Sequence, residues 1–317
     1  MADWLIWGSF LGFLCLLLFL DLGVLHRNRP EVSSREAVVW TAVWVGVAAA
    51  FGLVVLAWRG ADVAGRFAAG YLIEWSLSID NVLVFAILVE RLRVPAPLRH
   101  RLLFLGVAGA IVFRLGFILA GAALLHRFEW VAYLFGAVLL VTAARLLLHR
   151  DGPGPRRESR LLQLARRKAR LHPGFVQGRL LVRQDGRLLG TQLLVALVLI
   201  ELTDLLFAVD SVPAVFSVTD DPFVAFSSNA LAVLGLRSLF FLVAGASARF
   251  RHLKPALVVV LAFVGVKMMV SGVVAVPTGT SLAVIAVALG AGVGLSLLPA
   301  RRRPAEPAGS GRATSEK

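Results

Sequence analysis

Residues 191–216 read TQLLVALVLIELTDLLFAVDSVPAVF. The run is apolar over a length that crosses a bilayer, about 20 residues or more, yet it carries Glu201, Asp204 and Asp210. A carboxylate at the centre of a membrane helix costs roughly 2.5 to 3.5 kcal/mol on insertion scales, so such groups face one another, counter-ions or a cavity and not lipid. The stretch therefore sets two expectations together: a membrane helix, and a polar centre inside the protein.

Outward from it, apolar runs of spanning length fall at 4–25, 37–57, 67–89, 102–124, 130–148, 191–216, 223–247, 255–276 and 280–298. The expected fold is all-α, a polytopic membrane protein of about nine transmembrane helices. Of 317 residues, 58% are hydrophobic and 16% charged, which argues against a soluble fold. The first run follows Asp3 with no basic region before it, and reads as a retained helix, not a cleaved signal. A chain layout follows: two helices in 1–66, three in 67–148, a basic loop at 149–190, three more helices in 191–276, a last one in 277–300, and a Pro/Ala/Gly/Ser-rich tail at 301–317, read as disordered.

The net charge of +14 could mean nucleic acid, anionic lipid or topology, and its distribution decides between them. Of 33 Lys and Arg residues, 26 collect in alternate loops and the C-terminal tail on one side, and 3 on the other. The positive-inside rule puts the C-terminus in the cytoplasm and the N-terminus outside. No nucleic-acid partner is needed, and membrane lipid is the expected surroundings. Arg145 is near enough to a helix end to snorkel, whereas Arg114, Arg237 and Lys267 lie within apolar runs. Tryptophans 4, 7, 40, 58 and 130 fall near helix ends, as an interfacial belt would place them. Asp220, Asp221 and Pro222 read as an N-cap and first-turn proline opening the seventh helix.

The third helix contains Glu74-Trp-Ser-Leu-Ser-Ile-Asp80-Asn81 and the sixth Glu201-Leu-Thr-Asp204-Leu-Leu-Phe-Ala-Val-Asp210-Ser211, each with two acids six residues apart. Each is followed by a helix with an internal arginine, Arg114-Leu-Gly-Phe-Ile-Leu-Ala-Gly121 in one and Arg237-Ser-Leu-Phe-Phe-Leu-Val-Ala-Gly245 in the other. A third helix closes each unit, with Phe135-Gly136 matching Val264-Gly265. By the charge map the units run in opposite senses, an inverted pair of three-helix repeats of the kind that places a substrate site near the membrane midplane.

Five internal acids, Glu74, Asp80, Glu201, Asp204 and Asp210, outnumber the internal cations Arg114, Arg237 and Lys267. Either the pairs are purely structural, or the excess of two negative charges is met by one divalent cation or by protons. All six histidines lie in loops or at helix ends, and the single cysteine is Cys15. The interior thus offers carboxylates, amides and hydroxyls, which suit Mn²⁺, Mg²⁺ or Ca²⁺ better than zinc or copper. Two acids six residues apart stand about 120° apart on a straight helix and need not share a face. Local unwinding of the third and sixth helices would bring them together, with Pro213 freeing a carbonyl near Asp210.

The segment from Glu74 to Asn81, the run Phe207-Ala-Val-Asp-Ser-Val-Pro-Ala-Val-Phe216, Ser228-Asn229, Gly235-Leu-Arg-Ser-Leu239 and Gly265-Val-Lys267 resemble the TerC family of integral membrane proteins over most of residues 1–276. That resemblance implies a bacterial inner-membrane protein exporting manganese. Carried over by position, it implies Glu74, Asp80, Asn81, Glu201, Asp204 and Asp210 as metal-coordinating or proton-exchanging residues. Ser211 and Asn229 would be neutral oxygen ligands, and Arg114, Arg237 and Lys267 charge partners of the acids. The metal is substrate; no resident cofactor is expected. Other readings are a non-transporting component of a metal or tellurite stress response, and efflux of a tellurium oxyanion, for which an acidic centre has the wrong sign. An enzyme is not expected, since no nucleophile-His pair or cofactor fingerprint lies within the spans. Oligomeric state is left open. The topology makes a direct prediction: a reporter fused at residue 165 reports from the cytoplasm, and an exterior signal there would overturn both orientation and repeat.

Overall fold

The structure, a computed structural model, describes residues 3–23, 34–148, 174–176, 178–184, 187–244, 253–274 and 276–297. Most of the basic loop (149–173) and the tail (301–317) lie outside the described residues. Ten α-helices carry the fold: α1 (Asp3–Gly23), α2 (Ser34–Arg59), α3 (Ala61–Arg91), α4 (Ala96–Arg127), α5 (Trp130–Leu148), α6 (Gln192–Phe216), α7 (Pro222–Leu234), α8 (Leu236–Ala244), α9 (Leu253–Val270) and α10 (Thr278–Leu297). Helices are the form such sequences must take, because in lipid every backbone N–H and C=O needs a partner within its own segment. Among the described residues, eight spans are long and apolar enough to cross a membrane, and the apolar stretch Pro255–Val270 is a shorter ninth.

The expected single helix over 223–247 is broken. Asp221 caps α7, its carboxylate accepting from the amide of Phe223 at 2.8 Å, with Pro222 in the first turn as expected. At Gly235 the amide donates to Ala232 O (3.2 Å), three residues back and not four, and α8 begins on the other side. The span Pro222–Phe241 is buried throughout its best window, so α7 and most of α8 form the middle of the bundle, shielded from lipid by the other helices. Conversely α3 and α6 run unbroken, α6 through Pro213, so the local unwinding expected there is absent. Thr191 caps α6, and its hydroxyl also donates to Arg179 O at 2.7 Å. That bond ties the helix to a two-stranded antiparallel hairpin, β1 (Leu181–Gln184) and β2 (Arg187–Gly190), in what the sequence reading left as plain loop.

Contacts fix the direction of each helix. Arg114 of α4 meets Asp204 of α6, and Gly121 faces Val212, so these two are parallel. Gly70 lies against Ser228 and Glu74 bonds Asn229, which sets α3 along α7. Arg59 at the end of α2 pairs with Asp221 at the start of α7. Helix α1 runs parallel to α7 and α8: Trp7 and Phe10 stack on Phe223 and Phe226, and Asp21 reaches Arg237.

The tightest seam is α5 on α9. A Cβ on Gly136 would meet Gly265 O at 3.0 Å, and one on Gly265 would meet Gly136 O at 3.1 Å and Leu140 Cγ at 2.9 Å. Small residues let membrane helices approach backbone to backbone, which is where their packing energy arises. Gly265→Val is therefore expected to cost about 1–3 kcal/mol by overpacking, seen as a lowered melting temperature of the detergent-purified protein, while Gly279→Val, at an open site, leaves it unchanged.

Candidate functional site

Arg114 is the largest fully buried side chain, with no exposed surface. In a membrane interior a bare guanidinium is prohibitively costly, and three other helices supply its partners. Asp204 of α6 takes the fork side-on, accepting from Nε at 3.1 Å and Nη2 at 2.9 Å. Glu74 of α3 accepts from Nη1 through one carboxylate oxygen, and through the other from the Asn229 amide of α7 at 2.8 Å. Ser211 Oγ and Asn229 Oδ1 lie 3.4 Å from Nη1. All five residues are at most 2% exposed. Bidentate, charge-assisted bonding of this kind is the strong form of ion pairing. One cation here faces two carboxylates, which leaves an excess negative charge when both are ionised.

The other sequence-nominated residues are dispersed around this centre. Glu201, one turn from Asp204 on α6, lays its carboxylate over Gly109 of α4, and its Oε2 is buried with no hydrogen-bond partner among the described residues. A Cβ at Gly109 would overlap that carboxylate, so the glycine is what admits it. On α3, Ser78 and Asn81 continue the stripe from Glu74; the Ser78 hydroxyl and Asn81 Nδ2 are likewise buried and unpartnered among the described residues. Asp210 accepts a 2.8 Å hydrogen bond from Thr142 of α5, away from the Arg114 cluster. Asp80 belongs to α3, but its side chain lies outside the described residues.

Two of the three expected charge partners are engaged elsewhere. Arg237 pairs with Asp21 of α1, an acid outside the five expected, both about nine-tenths buried or more. Lys267 Nζ donates to Ser281 of α10 at 2.9 Å. Sequence reading missed Asp21, although an acid inside the first apolar run 4–25 was visible on the same grounds as the other five. It also missed Thr142 and Gly109, for which no local signal exists. Among the described residues no three His, Cys, Asp or Glu side chains are close enough to hold a metal ion together.

Fold and centre together define a polytopic helical membrane protein with a buried, mainly acidic polar core. The pattern described as the integral membrane protein TerC family matches residues 59–304, and the chain belongs to that family. It is 45% identical over 299 residues to the uncharacterized membrane protein STKORF319 of Myxococcus xanthus, covering 94% of each chain. It is 38% identical to proteins described as candidate membrane-bound redox modulators, Alx, from Photorhabdus laumondii and Escherichia coli K12. Those two matches cover 89% of this chain, and 91% and 90% of theirs. No solved structure matches the chain.

The cluster predicts its own mutational signature. Arg114→Leu strands two buried carboxylates and is expected to cost about 3–5 kcal/mol; Arg114→Lys keeps the charge but not the fork and falls between it and the parent. Thermal unfolding in detergent orders the three.

Proposed function

We propose that this protein exports a hard divalent cation, manganese foremost, across the bacterial inner membrane, with protons as the coupling ion. The observation that carries the reading is the buried centre itself. Two carboxylates share one arginine, a third carboxylate and two neutral polar groups one or two turns away each have a buried polar atom unpartnered among the described residues, and the side-chain donors at the centre are oxygen and amide groups. Oxygen donors with excess negative charge suit Mn²⁺, Mg²⁺ or Ca²⁺. A cation that recruits Glu74 and Asp204 must compete with Arg114 for them, so binding and rearrangement of the cluster are one event. Protonation of the same carboxylates would release it, which is the logic of an exchanger.

The inverted-repeat reading gains support from the packing. Exchanging α3 with α6, and α4 with α7, turns the α3·α7 interface into the α6·α4 interface, and both are extensive. The closing helices α5 and α9 meet at the matched glycines Gly136 and Gly265, each against the other's carbonyl. A pseudo-two-fold axis through that seam is the plan of carriers that work by alternating access. The alternation of helix directions also suits an N-terminus outside and a cytoplasmic C-terminus.

The description of the Alx relatives favours a second reading, a membrane component acting on redox state. With Cys15 as its single cysteine, this chain cannot form an internal disulfide, so any such effect would run through partners or the metal it moves. Uptake of radiolabelled manganese into inverted vesicles separates the two: the transport reading expects saturable uptake, little competed by zinc, and its absence would overturn that reading.

Within the transport reading, Asp80→Asn and Asp210→Asn abolish uptake while the protein still inserts and folds, because the amide keeps shape but not charge. Gly109→Ala, which forces the Glu201 carboxylate from its seat, slows uptake with little change in melting temperature. Wild-type rates in all three would remove the acids from the ion path.

A further inference from the structure

The two internal arginines occupy matched positions in the two repeats but are held differently. Arg114 pairs with Glu74 and with Asp204, the acids that lie six residues before Asp80 and Asp210 in their repeats, whereas Arg237 sits on Asp21 and the nearby Glu201 has a buried oxygen without a partner among the described residues. Arg237 and Ile200, the residue before Glu201, line the same small cavity of about 10 Å³, room for about one water. Its α4 wall is Leu103, Gly106, Val107 and Ala110, the last next to the Gly109 over which the Glu201 carboxylate lies.

Arg237 is also placed to shift. It lies two residues past the turn at Gly235, where one helix gives way to the next. Helix α1 spans that break: Trp7 and Phe10 hold α7 through Phe223 and Phe226, and Asp21 holds α8 through Arg237. Only the second attachment is an ion pair, which can be exchanged for another without changing the buried charge.

We propose that Arg237 is a moving charge of the transport cycle, held by Asp21 in this conformation and taken over by Glu201 in the oppositely facing one, with Asp21 the positioning residue that keeps Glu201 free meanwhile. The proposal rests on the reading of the protein as an alternating-access carrier. While Arg237 stays on Asp21, Glu201 is available to a cation; once Arg237 arrives, the cation has lost a ligand.

A double-mutant cycle on the full-length, detergent-purified protein tests this without manganese, so its outcome is separate from whether manganese is the substrate. If Arg237 can choose either acid, Asp21→Asn alone is tolerated because Glu201 takes the guanidinium, and Glu201→Gln alone is tolerated because Asp21 keeps it. The double variant then loses about 5 °C or more in melting temperature beyond the sum of the singles. Adding Arg237→Gln to the double restores most of that loss, and Asp21→Glu in place of Asp21→Asn shows no excess. Additive singles would overturn the proposal, since two acids that never share a partner do not couple. So would an Asp21→Asn protein as damaged as the double, or unable to fold, because Asp21 would then be a fixed structural partner.

Discussion

A guanidinium buried in a lipid-embedded bundle has to be enclosed by acceptors on every side, and Arg114 imposes that condition on the whole fold. Its five N–H groups point in one plane, so the acceptors must come from helices on more than one side. Asp204 arrives from α6, Glu74 from α3 and Asn229 from α7, which fixes the relative height and rotation of those three helices around α4. The small residues follow from the same demand. Gly106 and Gly109 bring α4 close enough to α6 for Ile200 and Glu201 to fit, and Gly70 admits Ser228 beside the Asn229 that completes the Glu74 carboxylate.

The remaining charges divide by whether their position is paired off. Asp21 with Arg237 sets one negative charge against one positive. Arg114 with Glu74 and Asp204 is not so balanced, and Glu201 beside it adds to the imbalance. In water such an excess would be screened within about 10 Å at ordinary salt, but inside a bundle it is not, and it acts on any cation that enters. The same excess repels anions, which is the physical case against a tellurium oxyanion at this centre.

Much of this was legible in the sequence because membrane physics is severe. Length and apolarity define the spans, and a carboxylate such as Asp204 or an arginine such as Arg114 within a span is conspicuous. What the sequence did not disclose is partner choice. Nothing local says that Arg237 will take Asp21 and leave Glu201, because that depends on how α1 docks along α7 and α8. The break at Gly235 was hidden for a related reason: glycine is common within membrane helices, and one among apolar neighbours does not by itself mark a turn. The hairpin before α6 did leave a trace, since Asp185-Gly186 between two short runs is a strong hairpin signal, obscured by the surrounding run of arginines.

Set together, these features separate a part of the molecule built to stay from a part built to change. The α5·α9 seam is packed glycine carbonyl against glycine, and a packed interface of that kind has one good arrangement. The centre is held instead by ion pairs between different helices. A carrier needs both, because a two-fold exchange of half-sites requires an axis that does not move and charges that do. The glycine seam has the character of the first, and the cross-helix ion pairs around Arg114 have that of the second.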